Sequence, residues 1–194
     1  MTVRNELIRK GIHLMTLVIP MSYIILPKAW VLVIVGFALA VAAAVEAARF
    51  FWADFSRLFY RLTDRLLRDH ERKHLTGATY LFAGSFFTIL LFEKWIAVSV
   101  ISFVVDSDAL AALVGKHWGK IFIYRDRTLE GGAVFFISAL AVVFLVPGSR
   151  HIVGFAGAFI ALCVDVFFSR VVDDNLSIPL ASGGVMQIFS CLMG

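Results

Sequence analysis

The chain has 194 residues, 60% of them hydrophobic, a formal net charge of +4 and a mean hydropathy of +0.88. A soluble domain of this length does not carry apolar runs of this length, which excludes a soluble globular enzyme or a nucleic-acid-binding module. The positive charge reads as a topology signal, because the cations collect in particular loops.

Seven apolar runs are predicted to cross the bilayer as helices: Gly11–Leu26, Trp30–Ala48, Gly77–Phe92, Trp95–Val114, Gly132–Val146, His151–Ser169 and Ile178–Met193. Several are short for a hydrocarbon core that needs about 20 helical residues, and the last two are open to being broken, tilted or re-entrant. Pro27 closes the first run and Pro147-Gly148 the fifth. The expected fold is all-α, a polytopic integral membrane helix bundle forming one domain over residues 1–194. Met1–Lys10 is basic but leads through one apolar run straight into another, so no cleavable signal peptide is expected. Cys163 and Cys191 lie in apolar runs without partners at metal-ligand spacing and read as small buried hydrophobes.

Orientation follows from the loop cations. With the N-terminus in the cytoplasm, only Lys28, Lys94 and Arg150 lie outside. The inner segments hold Arg4, Arg9 and Lys10; Arg49, Arg57, Arg61, Arg65, Arg68, Arg72 and Lys73; Lys116, Lys120, Arg125 and Arg127; and Arg170. Between the second and third runs, about residues 49–75, Phe51, Phe55, Leu58, Phe59, Leu62 and Leu66 recur at helical spacing among arginines. This is an amphipathic cationic connector, suited to an anionic leaflet or serving only to enforce topology.

Every dense polar cluster then falls on the cytoplasmic side. Glu6, Arg9 and His13 share a helix face, and Arg9 and Lys10 offer phosphate ligands or a plain topology signal. Asp106 and Asp108 lie inside an apolar run, where acids are expensive and point to function. Two residues apart on a helix they diverge by about 200°, so one cavity does not take both unless the helix unwinds. Asp108 suits Mg²⁺ or the proton of a lipid hydroxyl, and the alternative is a structural ion pair. Gly115 and Gly119 either let two helices approach, a homodimer interface included, or let phosphates approach beside Lys116 and Lys120. The spacing is not that of a Walker A loop. Arg127, Thr128, Glu130 and Gly131 set a cation, a hydroxyl and a carboxylate at a helix entry, for metal or base positioning or simply as a cap. Asp173, Asp174 and Asn175 offer oxygen ligands for Mg²⁺ or a polar turn, and Asp165 is a further acid within the sixth run. His117 and His151 read as loop histidines.

The order of these clusters resembles the family of dolichol kinases, phytol kinases and CTP-dependent diacylglycerol kinases. The matching segments are Glu6-Leu7-x-Arg9-Lys10-x-x-His13-Leu14, Leu75-Thr76-Gly77-Ala78-Thr79-Tyr80, Asp108 to Gly115 with Gly119-Lys120, Arg127-Thr128-Leu129-Glu130-Gly131, and Asp174-Asn175-Leu176-Ser177-Ile178-Pro179. Each is short, but five in order on one membrane face are specific. Two positions depart from the family pattern. Ser107 stands where Gly is usual before the acid, which leaves Asp106 as an extra acid, and Arg127-Thr128 replaces the commoner Lys-Ser or Lys-Thr.

The resemblance implies an Mg²⁺-dependent kinase that transfers the terminal phosphate of CTP to a membrane lipid alcohol such as diacylglycerol, phytol or a polyprenol. In that reading Asp108 and Glu130 are catalytic, and Asp108, Asp173 and Asp174 hold the metal. Arg9, Lys10, His13, Gly115, Gly119, Lys120, Arg127, Thr128, Gly131 and Asn175 bind nucleotide and phosphate. No nucleic-acid partner is expected. Two alternatives remain. A phosphatidate cytidylyltransferase would carry a His-Gly-Gly and Asp-Arg-x-Asp signature that is absent here. A small ion transporter would spread its acids along the span centres.

Overall fold

A computed structural model of the chain describes residues 3–64, 66–67, 69–168 and 172–193. Arg65, Arg68, Ser169, Arg170 and the side chain of Glu6, all used in the sequence reading, lie outside the described residues. The order is α1 (Val3–Met15), α2 (Val18–Ile25), α3 (Lys28–Phe51), α4 (Ala53–Thr63), α5 (Gly77–Leu91), α6 (Lys94–Ser102), a π-helical turn (Phe103–Ser107) and α7 (Asp108–Trp118). Strands β1 (Phe122–Tyr124) and β2 (Arg127–Thr128), then α8 (Leu129–Leu145), α9 (His151–Phe167) and α10 (Asp174–Leu192), complete it. The small antiparallel hairpin of β1 and β2 is the departure from an all-α chain. It replaces what the sequence presents as a short basic loop.

Four helical stretches are long and apolar enough to cross a membrane: Ile8–Ile25, Lys28–Phe51, Lys94–Trp118 and Asp174–Leu192. The expectation of seven spans is corrected to these four by length and composition among the described residues. Helices α5, α8 and α9 are apolar but have 15, 17 and 17 residues. At ~1.5 Å per residue they reach about 22–26 Å, short of a hydrocarbon core of ~30 Å.

The stretch Lys94–Trp118 is the central stave. Its apolar window is 78% buried, against 22% for Ile8–Ile25 and 17% for Lys28–Phe51. Ile96, Val100, Phe103 and Val105 are fully enclosed, with Phe135 of α8 and Met186 of α10 among the same core. Lipid tails are as apolar as Leu, so close packing and polar ties, rather than transfer from water, hold such helices together. At Gly157 of α9, for example, an added Cβ would strike Met186.

Two local features bend this scaffold toward the site. The π turn places one extra residue per turn just before Asp108, a distortion often found at functional sites. Asp108 is thereby buried, while Asp106, still about half a turn round, is half-buried elsewhere. Helix α10 begins at Asp174, before the predicted Ile178, and carries Pro179 inside. Proline removes the N–H that would pair with the carbonyl four residues back. That carbonyl, on Asn175, lies against Gly84, where any Cβ would collide with it.

The connector is helical over α4 and exposes Leu58 and Leu62 together with Arg57. Its Arg57–Asp54 ion pair is almost fully exposed. Both cysteines are free, and Cys191 is exposed rather than buried.

Candidate functional site

One end of the bundle gathers the starts of α5, α8 and α10, the end of α9, α1 at Arg9 and Lys10, and α7 from Asp108 to Lys116 around a cavity of about 990 Å³. Three carboxyl groups converge there: Asp108 from α7, Asp165 from α9 and Asp174 from α10. An oxygen of each lies within 4.8 Å of the others, and all three residues are buried. Two cations answer them. Lys10 Nζ forms an ion pair with Asp108 Oδ2. Arg127, from β2, reaches Asp165 Oδ1 at 2.6 Å, Asp108 Oδ1 at 3.8 Å and Asp174 Oδ2 at 4.0 Å. Burial works against the Arg127 charge, but Asp165, Asp108 and Asp174 more than offset it and hold the guanidinium pKa above its usual value.

Three carboxylates are the hard oxygen donors that Mg²⁺ prefers. Oxygens at about 2.0–2.1 Å from an octahedral Mg²⁺ stand about 2.9 Å apart when adjacent and about 4.2 Å when opposite. The three acids, with oxygens within 4.8 Å of one another, must draw together to share one ion, and they fit it by donor type and number. The helix starts of α8 and α10 add backbone N–H groups, which favour anions.

The expected site residues divide. Arg9, Lys10, Asp108, Gly115, Gly119, Arg127, Thr128, Gly131, Asp173 and Asp174 all line the cavity. Asp173, expected as a metal ligand, lines the cavity and caps α10. Its Oδ1 accepts from Asn175 N at 3.0 Å and from Asn175 Nδ2 at 2.8 Å. The third converging acid is Asp165, which the sequence marks only as an extra acid in a span. His13 lies off the cavity, its Nε2 donating to Val104 O at 3.2 Å. Glu130 and Lys120 are also outside the lining, and Glu130 Oε2 accepts from Ile121 N at 3.3 Å. Asn175 lies behind the acids, held by Asp173.

Gly115 and Gly119 make close packing within the chain. A Cβ on Gly119 would lie 2.6 Å from both Thr128 Oγ1 and Cγ2, and one on Gly115 would lie 3.0 Å from Thr128 Oγ1. Thr128 in turn caps α8 by accepting from Gly131 N at 3.2 Å. The glycine pair thus lets α7 press against the cap that aims Arg127.

The sequence reading names the Leu75–Tyr80 segment but not the buried groups of α3 that hold it. Arg49 and Glu46 of α3 form a buried ion pair. Arg49 donates from Nη1 to Glu71 O at 2.7 Å and from Nη2 to His74 O at 2.6 Å. Glu46 Oε1 accepts from Thr76 N at 2.8 Å and from Thr79 Oγ1 at 3.2 Å, and Glu71 Oε1 accepts from Gly77 N at 2.9 Å. These ties satisfy the free N–H groups at the start of α5 and set His74 and Tyr80 in the cavity wall. In the sequence, Arg49 looks like one cation among many in a connector.

Comparison with known proteins gives a family-level link. The chain is 29% identical over 164 residues to CTP-dependent diacylglycerol kinase 1 of Schizosaccharomyces pombe, covering 74% of this chain and 73% of that one. It is 28% identical over 139 residues to probable phytol kinase 2, chloroplastic, of Glycine max, covering 61% of this chain and 47% of that one. It is also 26% identical over 185 residues to an uncharacterised protein of Rickettsia prowazekii, covering 89% of each. No protein-family model and no solved structure matches the chain.

Proposed function

We propose that this chain is an integral membrane phosphotransferase that moves the terminal phosphate of a nucleoside triphosphate, CTP, to the hydroxyl of a membrane lipid alcohol. The observation that carries the reading is the convergence of Asp108, Asp165 and Asp174 with Lys10 and Arg127 in one cavity at the end of apolar helices. The likeness to relatives named as CTP-dependent diacylglycerol kinase and phytol kinase supports the choice of nucleotide and acceptor class.

Phosphoryl transfer is mostly positioning and charge neutralisation. Arg9, Lys10 and Arg127 bind the phosphate oxygens, Arg through its planar fork. Asp108, Asp165 and Asp174 would hold a divalent ion. Bound there, Mg²⁺ would offset the negative charge of the phosphates. The lipid hydroxyl oxygen forms the new bond to the γ-phosphorus, the bond to the β,γ-bridging oxygen breaks, and the hydroxyl proton passes to a carboxylate. Asp108 is our choice for that carboxylate or for the metal.

The site faces the cytoplasm in this reading, because the loop cations lie at its end of the bundle. With Cys163 and Cys191 replaced by serine, single cysteines on either side of α3 test the orientation with an impermeant maleimide on intact cells: Lys28→Cys labels, and Lys73→Cys labels only after permeabilisation.

The activity test uses purified protein, γ-labelled CTP or ATP, and diacylglycerol, phytol, geranylgeraniol or a polyprenol in mixed micelles. Label in a lipid phosphate supports the reading. Pyrophosphate release with CDP-lipid formation from phosphatidate overturns it in favour of a cytidylyltransferase.

A further inference from the structure

Strand β1 carries aromatic residues that the proposed chemistry leaves unused. A bulge in the register falls between Phe122 and Tyr124, so strict alternation does not hold across β1. Phe122 and Tyr124 line the cavity, and Ile123 lies outside its lining. Phe122 is 66% exposed, so it is not core. Across the hairpin, Tyr124 pairs with Arg127 and Phe122 with Thr128. The residue that grips the three acids and the ring beside it are therefore spaced by the same two strands. From the other side comes Phe167 at the end of α9, two residues after Asp165. Its ring centroid lies 5.6 Å from that of Tyr124. Arg125 sits over the Tyr124 ring at 5.1 Å and holds φ +52°, a left-handed conformation uncommon for a residue other than glycine. Such backbone persists where surrounding structure enforces it, often at ligand sites.

Rings from two independent elements, with a guanidinium beside them, thus stand at the mouth of a cavity whose floor carries acids and cations. An acyl chain is met by the apolar outer faces of α1 to α3, which expose Ile12, Ile25, Val33 and Ile34 along with Trp30 and Phe37. A planar, polar, π-bearing group attached to an anion is met best by aromatic faces and arginine.

We infer that the β1–β2 hairpin is a base-stacking platform, on which Tyr124 and Phe122, with Phe167 packed beside Tyr124, receive the pyrimidine ring of the nucleotide while its phosphates reach Lys10 and Arg127. This rests on the nucleotide-dependent reading above. The platform orients the nucleotide through its base, and the hairpin sets the distance from base to phosphate site.

The test measures equilibrium binding of labelled CTP, with Mg²⁺, to the purified full chain in detergent. Inorganic tripolyphosphate, which has phosphates and no base, serves as competitor. Wild type is compared with Tyr124→Ala, Phe122→Ala and Tyr124→Phe. The expected result is CTP binding weakened about 5- to 100-fold by each Ala substitution, as for lost base stacking. Tyr124→Phe should stay within about twofold, because the ring is kept. Tripolyphosphate affinity and the KM for lipid should not change. CTP affinity equal to wild type in both Ala variants overturns the platform alone. So does an equal loss of tripolyphosphate affinity, which would make the hairpin a support for the phosphate site. A shift in lipid KM in place of CTP affinity assigns the rings to the acyl chain and also overturns it. No CTP binding by wild type overturns both the platform and the nucleotide-dependent reading.

Discussion

Lys10 and Asp108 are 98 residues apart in the chain and form a buried ion pair, with Lys10 Nζ also 3.5 Å from the Asp108 carbonyl. The pair ties the first helix to the central stave at the point where the π turn ends. It also places one cation and one acid of the cavity in direct contact.

Removing one partner of such a pair strands the other, at a cost of about 3–5 kcal/mol, whereas replacing both with apolar groups is often neutral. Lys10→Met should therefore lower the unfolding temperature in detergent, and Lys10→Met with Asp108→Leu should recover most of it. Neither variant should transfer phosphate. Asp108→Asn should abolish turnover while the protein stays folded. Turnover at the wild-type level in Asp108→Asn removes this residue from the chemistry.

Asp165 and Asp173 make a discriminating pair. Asp165→Asn replaces one of the three converging carboxylates with a neutral amide, so activity should require at least ~10-fold more Mg²⁺, a loss typical of weakened metal sites. Asp173→Ala removes a helix cap and should cost ~1 kcal/mol of stability with little change in the Mg²⁺ requirement. A titration of activity against Mg²⁺ reads both. The reverse ranking would restore Asp173 as the ligand.

Gly119→Ala forces a methyl group against Thr128 and the Gly115 carbonyl. Overpacking of this kind costs about 1–3 kcal/mol, and here it would also tilt the cap that aims Arg127. Gly184→Ala, with open space around its Cβ, is the matched control and should be neutral or slightly stabilising, as alanine is the better helix former. Thermal unfolding of the two variants in the same detergent decides between close packing and mere helix propensity.

Arg49→Lys keeps the charge and loses the fork that reaches Glu46 and the Glu71 and His74 carbonyls. The segment it holds carries exposed Arg72 and Lys73, so trypsin should cut there several-fold faster than in wild type. Because the same segment sets Tyr80 and His74 in the cavity wall, kcat should fall as well. Unchanged proteolysis would show that the other ties, from Glu46 to Thr76 and from Glu71 to Gly77, suffice.

The apolar runs, the loop cations and the motif residues were legible in the sequence, because each depends on local composition or spacing. Asp108, Asp174 and Arg127 stand out there as charges in or beside apolar runs. Asp165 and Arg49 do not, because nothing in their neighbourhoods announces a partner. Asp165 is one acid in a span, and its meaning comes from Arg127, placed by a hairpin that reads as a loop. Gly115 and Gly119 were ambiguous for the same reason, since a small residue signals close approach without saying to what.

The sequence by itself determined an apolar, multi-helix membrane chain with its charges segregated to one end, since hydropathy and charge are properties of residues one at a time. Only the tertiary structure decided which acids meet, and that Phe167 of α9 packs against Tyr124 of β1. Those contacts join Asp108 to Asp165 and Asp174, and Tyr124 to Phe167, residues about 40 or more apart in the chain, and they follow from how α7, α8, α9 and α10 and the hairpin pack rather than from the content of any one of them.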